Sequence, residues 1–232
     1  MNKPIIMIIE DDPAIRSMII ATLETQNYRY LAALEGETAP HEAMTLNPDM
    51  VVLDLGLANA NGIEIIKKIR AASTMPILVI GSRSDNADKI DALDAGADDY
   101  LTKPFFVEEL LERLRVAQRR LSRIQNPTGK ELSEFVNGDL KIDYTGGHVY
   151  LGGKEVELTP VEYKLIVLLS KNVGKVLTYT SITRSVWGSV KDDDVASMRV
   201  AMTTMRKKID ENISEPKYIK TQIGIGYRML IV

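Results

Sequence analysis

Glu10, Asp11 and Asp12 follow one apolar run, Asp54 ends a second, and Lys103-Pro104 closes a third. Carboxylates ~4 Å apart repel by about 4 kcal/mol per pair at an effective dielectric near 20. A divalent hard cation removes that cost, and Mg²⁺ suits carboxylate oxygens while keeping waters that leave room for a phosphoryl oxygen. A carboxylate can also attack phosphorus to give an aspartyl phosphate. Mg²⁺ and a lysine ammonium would then neutralise charge on the transferring phosphoryl group. One acid after a strand is ordinarily a loop residue. Acids and a lysine at three strand ends read as a pocket.

Other chemistries are short of residues. The 232-residue chain has no Cys, which removes disulfides, thiolate metal sites and Cys nucleophiles. With only His41 and His148, a His-ligated metal or a Ser-His-Asp triad is not expected. No apolar run approaches the ~18 residues of a membrane span, and the start MNKPIIMIIEDD lacks a signal-peptide pattern, so a soluble, cytoplasmic protein is expected. Charge divides the chain: residues 1–121 carry 13 Lys+Arg against 19 Asp+Glu, and residues 137–232 carry 14 against 11. An acidic front and a mildly basic back suggest two jobs.

The elements that must position the acids can be read from periodicity. Apolar runs at Ile5–Ile9, 28–34, 50–53, 77–80 and 100–101 alternate with helical patterns at Pro13–Thr25, 38–46, around Ile63, Ile66 and Ile69, at 88–95, and from Val107 through Leu110, Leu111, Leu114 and Leu121. Five βα units in this length predict a parallel sheet with helices on both faces. Ligands of such sheets gather at the carboxyl ends of the strands, where these acids and the lysine lie. Residues 123–134, with Asn126-Pro127 and Gly129, lose periodicity and read as a linker.

Further on, 139–158 reads as short hairpin strands broken by glycines. Thr159-Pro160 with Glu162 is a capping-box signature. Helices are expected at about 160–170, 179–187 and 194–212, and a closing hairpin over 218–232 around Gly224 and Gly226. On the longest helix Val195, Met198, Met202, Met205 and Ile209 form a core-facing stripe. Arg199, Thr203 and Arg206, with Val200, Thr204 and Lys207 beside them, offer basic and hydroxyl groups that suit a major groove.

The segments IIMIIEDD, VVLDLGL, MPILVIGSRSDNADKIDALDAGADDYLTKPF and LLERLRVAQRR resemble the receiver domain of two-component response regulators over essentially all of residues 3–121. The resemblance implies a flavodoxin-like fold, Mg²⁺ held by Glu10, Asp11, Asp54 and the Gly56 carbonyl, and Asp54 as phosphoacceptor. Lys103 would pair with the phosphoryl group, and Tyr100 matches the aromatic that rotates on switching. Where the family places Thr or Ser after strand four, this chain has Gly81, which lacks a hydroxyl. Ser82 is adjacent, but successive strand side chains point oppositely.

The stretches LTPVEYKLIVLLSKNVGKVLTYTSI, VWG and YIKTQIGIGYRML resemble the winged helix-turn-helix effector of the OmpR/PhoB group. The expected domains are therefore 1–121 receiver, 122–134 linker and 135–232 winged-helix domain. DNA contacts are expected from Arg199, Val200, Thr203, Thr204, Arg206 and Lys207, and from Lys220, Thr221 and Tyr227 of the wing. The family implies a two-fold receiver dimer with Ile90, Leu93 and Leu111 at its apolar centre. Around them lie Lys89, Asp94, Asp98, Asp99, Glu109, Arg113, Arg115 and Arg120, with Lys89–Glu109 and Asp99–Arg113 as plausible cross-dimer pairs. Implied partners are a cognate sensor histidine kinase, tandem half-sites of double-stranded DNA, a second copy of the chain and RNA polymerase. The LDLGL segment, the SRSDNADKIDALDAGADDYLTKPF run and the TQIGIGYRML ending look most like the Kdp-type branch, which controls potassium transport. One alternative is a regulator that works without phosphorylation, motivated by Gly81. Another is an aspartate-nucleophile phosphohydrolase, although such enzymes commonly carry a second acid where this chain has Gly56.

Overall fold

The structure, a computed structural model, describes residues 4–33, 35–82, 86–125, 133–210 and 215–232. It divides into two compact units, Met1–Leu121 and Ser122–Val232.

In the first unit β1 (Ile5–Ile9), β2 (Arg29–Ala33), β3 (Met50–Asp54), β4 (Ile77–Ser82) and β5 (Asp99–Lys103) form a parallel sheet in the order β2-β1-β3-β4-β5. Helices α1 (Pro13–Thr25), α2 (Ala39–Leu46), α3 (Gly62–Ala72), α4 (Asn86–Asp94) and α5 (Val107–Gln125) alternate with the strands. Because helices cover both faces, β1, β3 and β4 are almost wholly apolar rather than alternating. Ile6, Ile8, Met50, Val52, Leu78, Ile80 and Leu101 pack with Ile19 and Leu23 of α1 and Leu110 and Leu114 of α5. The strand order reverses beside β1, which opens a crevice at the carboxyl ends of β1 and β3. Asp12 caps α1 by accepting from the Ala14 and Ile15 amides, with Pro13 in the first turn. Asn61 caps α3 in the same way.

Helix α5 runs to Gln125, past the expected domain edge. The next strand, β6 (Glu134–Asn137), begins on the last residue of the expected linker. Residues 126–132 of that linker, Leu34 of the second expected strand, and Glu211 and Asn212 of the expected long helix lie outside the described residues.

In the second unit β6, β7 (Leu140–Asp143), β8 (His148–Leu151) and β9 (Lys154–Glu155) form an antiparallel sheet in chain order. Helices α6 (Pro160–Lys171), α7 (Tyr179–Trp187) and α8 (Asp192–Ile209) follow. Both bonds of the capping box at Thr159 and Glu162 are made. Two elements escape the sequence pattern: β6 and the three-residue β10 (Val176–Thr178). Strand β10 pairs with β12 (Gly226–Met229), which also pairs with β11 (Ile219–Gln222). Gly226 is required there, since a Cβ would fall 1.9 Å from the Leu177 carbonyl oxygen. Met198, Met202, Met205 and Ile209 of α8 are buried against α6 and the closing hairpin, as the stripe predicts.

A candidate phosphoryl pocket and DNA-facing surface

Sheet topology brings the acids together. Glu10 follows β1 and Asp54 ends β3, and both are buried. Lys103 ends β5 and reaches both: its Nζ lies 2.8 Å from Glu10 Oε2 and 2.9 Å from Asp54 Oδ2. Asp11 is exposed, and its Oδ2 accepts from the Ala58 amide at 2.6 Å, which ties the β1–α1 turn to the loop after β3. Glu10, Asp11 and Asp54 each offer an oxygen within 4.8 Å of the others. This all-oxygen donor set suits a hard divalent cation such as Mg²⁺. Asp12 is committed to the α1 amides, whose bonds hold its carboxyl below the ordinary range.

Burial raises the Glu10 carboxyl above its usual value, although the hydrogen bond from Lys103 opposes this. Burial also works against the Lys103 charge, but the bonds to Glu10 and Asp54 outweigh it and hold the ammonium above its ordinary range. The result is a cation clamped between two buried acids at the mouth of a cavity of about 820 Å³. Gly56, Asn61, Ser82, Asp88 and Tyr100 line the cavity with Asp54 and Lys103. Arg16 escaped the sequence reading: its guanidinium donates to the Glu10 carbonyl at 2.8 Å and so pins the acidic turn. The only hint in the sequence is a lone basic residue one turn into the helix after the acids.

Gly81 and Tyr100 meet at the same edge. The Tyr100 hydroxyl donates to the Ser82 carbonyl at 3.3 Å. Burial, then the charges of Asp88 and Asp54, push its phenol up to about 12. Ser82 is exposed at the cavity rim.

On the α4–β5–α5 face the single chain places the residues expected at a dimer surface as follows. Leu93 and Leu111, expected at an apolar dimer centre, are buried in the single chain, and Ile90 is half-buried. Asp98 is buried because it pairs with Arg70 at 2.9 Å and with Arg120. Asp99 is also buried and pairs with Arg113 of its own chain at 3.3 Å, where a cross-dimer pair was expected. Arg113 also reaches Glu109 at 3.4 Å. Lys89 lies 5.5 Å over the Tyr100 ring, Asp94 is exposed, and Arg115 pairs with Glu112.

In the second unit Arg199, Val200, Thr203, Thr204 and Lys207 are exposed on α8, and Lys220 is exposed on β11. The Thr203 and Thr204 hydroxyls donate to the Arg199 and Val200 carbonyls one turn back. The Arg199 guanidinium sits 4.7 Å over the Tyr179 ring. Two residues expected on the exposed surface are instead internal. Arg206 is buried because it borders the methionine stripe, and it donates to the half-buried Thr221 hydroxyl at 2.9 Å. Tyr227 is buried because β12 is the central strand of its sheet, and its ring packs edge-on against Tyr179. Ile223, which the sequence reading did not count as a contact, stands 90% exposed at the hairpin turn.

A doubly wound sheet with a lysine-clamped acidic pocket, on one chain with a winged helix, has the build of a signal-receiving DNA-binding regulator. Residues 6–115 match the family described as response regulator receiver domain, and residues 153–229 match transcriptional regulatory protein, C terminal. The chain is 40% identical over 226 residues to the KDP operon transcriptional regulatory protein KdpE of Escherichia coli (strain K12), covering 97% of this chain and 99% of that protein. It is also 40% identical over 226 residues to the transcriptional regulatory protein KdpE of Staphylococcus aureus (strain NCTC 8325 / PS 47), covering 97% and 96%. Among solved structures, a mutant of RitR superposes with a TM-score of 0.51 at 25% identity, covering 97% of this chain and 98% of that one. The chain belongs to the OmpR/PhoB-type DNA-binding response regulators. Among the described residues no helix is long and apolar enough to cross a membrane.

Proposed function

We propose that Asp54 accepts a phosphoryl group from the phosphohistidine of a cognate sensor kinase, and that this event controls a potassium-transport operon from the cytoplasm. The observation that carries the reading is the Lys103 ammonium bridging Glu10 and Asp54 at the carboxyl edge of the sheet. An Asp54 carboxylate oxygen attacks phosphorus, the P–O bond forms as the P–N bond breaks, and the imidazole leaves with the electron pair. Lys103 turns from the carboxylate to the phosphoryl oxygens and neutralises part of their charge. Mg²⁺, held by Glu10, Asp11, Asp54 and the Gly56 carbonyl, would neutralise the rest. Catalysis is confined to the protein's own phosphorylation and dephosphorylation.

Phosphorylated receivers then pair through the α4–β5–α5 face. Two winged helices bind tandem half-sites and engage RNA polymerase. Arg199 and Val200 read base edges, while Lys207 and Lys220 hold phosphates. The potassium operon is supported by the near full-length likeness to two regulators that bear its name. The test is sedimentation of the purified protein with Mg²⁺, with and without BeF₃⁻. A monomer-to-dimer shift that Asp54→Asn abolishes is expected. Equal dimerisation and promoter binding by wild type and Asp54→Asn, with BeF₃⁻ bound to the wild type, would favour control without phosphorylation. Gly81 is the residue that motivates that second reading.

A further inference from the structure

Gly81 lies one residue past Ile80, the register partner of Asp54. On its other side it pairs with Thr102, next to Lys103. A side chain at this position would stand at the carboxyl edge between the strands that carry the pocket. Gly81 has none, and the Tyr100 phenol fills the space. A Cβ on Gly81 would fall 2.1 Å from the Tyr100 hydroxyl oxygen and 2.9 Å from its Cζ. A Ser or Thr hydroxyl is one bond from such a Cβ, so it and the Tyr100 hydroxyl would compete for one volume.

The phenol shares the cavity with Asp54 and Lys103. Tyr100 is 9% exposed, and its ring lies under Lys89, whose Nζ is 5.5 Å from the ring centre. Its hydrogen bond to the Ser82 carbonyl, at 3.3 Å, is long for an O–H donor, whose usual distance is about 2.7–2.8 Å. A charged phosphoryl oxygen is the stronger acceptor.

We propose that the Tyr100 hydroxyl is the side-chain hydroxyl donor to the phosphoryl group on Asp54, in the place left by the missing side chain at Gly81. This rests on Asp54 being the phosphoacceptor. Tyr100 then joins the phosphoryl site directly, and Gly81 is the residue that admits it. The competing hydroxyl is that of Ser82, which lines the same cavity.

The test is calorimetric titration of the full-length protein with BeF₃⁻ in Mg²⁺, with Asp54→Asn as the blank. Tyr100→Phe keeps the ring and removes only the oxygen. Loss of one hydrogen bond to a charged group predicts about tenfold or greater weakening. Ser82→Ala should stay within about twofold of wild type on the same reasoning. Gly81→Ser in the Tyr100→Phe background should recover most of the loss, since it returns a hydroxyl without restoring the bond to the Ser82 carbonyl. Unchanged affinity in Tyr100→Phe overturns the proposal, as does a loss confined to Ser82→Ala. A loss that Gly81→Ser leaves unrecovered makes the phenol oxygen a packing group and also overturns it. If wild type shows no Asp54-dependent BeF₃⁻ binding, the phosphoacceptor reading fails first and this inference falls with it.

Discussion

Replacing Lys103 with methionine keeps an unbranched apolar stem and removes the ammonium between two acids. Glu10 and Asp54 are then left without it, their side chains 1% and 6% exposed. Their ligand oxygens lie within 4.8 Å. At an effective dielectric near 20, two unit charges at that distance repel by about 3.5 kcal/mol. One-sided removal of a buried ion-pair partner costs about 3–5 kcal/mol. The two figures describe one effect and are not summed. Lys103→Met should therefore lower stability by about 3 kcal/mol at pH 7 in a chelator, on the same grounds.

The measurement is urea unfolding of the full chain by circular dichroism, repeated across pH. Burial already raises the Glu10 carboxyl in the folded protein, and loss of Lys103 removes the bond that opposed the rise. A carboxyl raised on folding is penalised above its folded pKa and relieved below it. The deficit of the variant should be full at neutral pH and shrink as pH falls through the raised Glu10 value. Mg²⁺ should restore more stability to Lys103→Met than to wild type, because no ammonium competes for the same oxygens. A deficit below about 1 kcal/mol, the size of an exposed pair, would refute the buried clamp. So would a deficit that grows on acidification.

Glu162 accepts from the Thr159 amide and from Lys208, each at 2.7 Å. Burial alone would raise its carboxyl, but these bonds hold it below the ordinary range, so its stabilisation is present above the unfolded carboxylate pKa and lost as pH falls through the folded value. Glu162→Gln should cost about 1–3 kcal/mol at pH 7 in thermal unfolding, with the difference from wild type closing at acid pH. Gly226→Ala should cost about 1–3 kcal/mol and weaken DNA binding in a mobility-shift assay, because the backbone oxygen it strikes cannot move without parting β10 from β12. Lys207→Ala should reduce the slope of log affinity against log salt by about 1 in anisotropy titrations. Arg206→Ala should leave that slope unchanged and lower the melting temperature, since the guanidinium is internal.

The pocket could be read from the sequence because a doubly wound sheet turns strand ends into neighbours. Once 5–9, 50–53 and 100–101 are taken as parallel strands, Glu10, Asp54 and Lys103 share an edge. Their ion pairing follows from charge alone. The α8 core stripe was legible for a similar reason, since Met198, Met202 and Met205 repeat at helical spacing. Arg206 was not, because it lies at the border of that stripe, one residue from Met205 and four from Met202. Only the docking of β11 beside it decides that it is internal. Asp98 and Asp99 were read as surface charges because hydropathy has no means to bury a charge whose partner is distant in sequence. Their partners, Arg70, Arg120 and Arg113, lie on α3 and α5. Strand β10 is three residues long, too short for any period, and exists because β12 offers it a partner.

Those ion pairs also bear on receiver pairing. Arg113 is already held by Asp99 and Glu109 in one chain, and Asp98 by Arg70 and Arg120. A dimer that draws on the same charges exchanges intrachain pairs for interchain ones, and like-for-like exchange leaves little net electrostatic gain. Among the described residues of that face Leu93 and Leu111 are already covered within the chain. The proposed pairing would then draw on a rearrangement that frees a charged group or uncovers an apolar one. Tyr100 is the side chain placed to link such a change to the pocket, because its hydroxyl lies at Gly81 and its ring lies under Lys89 of α4. Residue 81 therefore bears on more than the phosphoryl contact proposed for Tyr100, because a side chain there would occupy the space that the Tyr100 hydroxyl now fills.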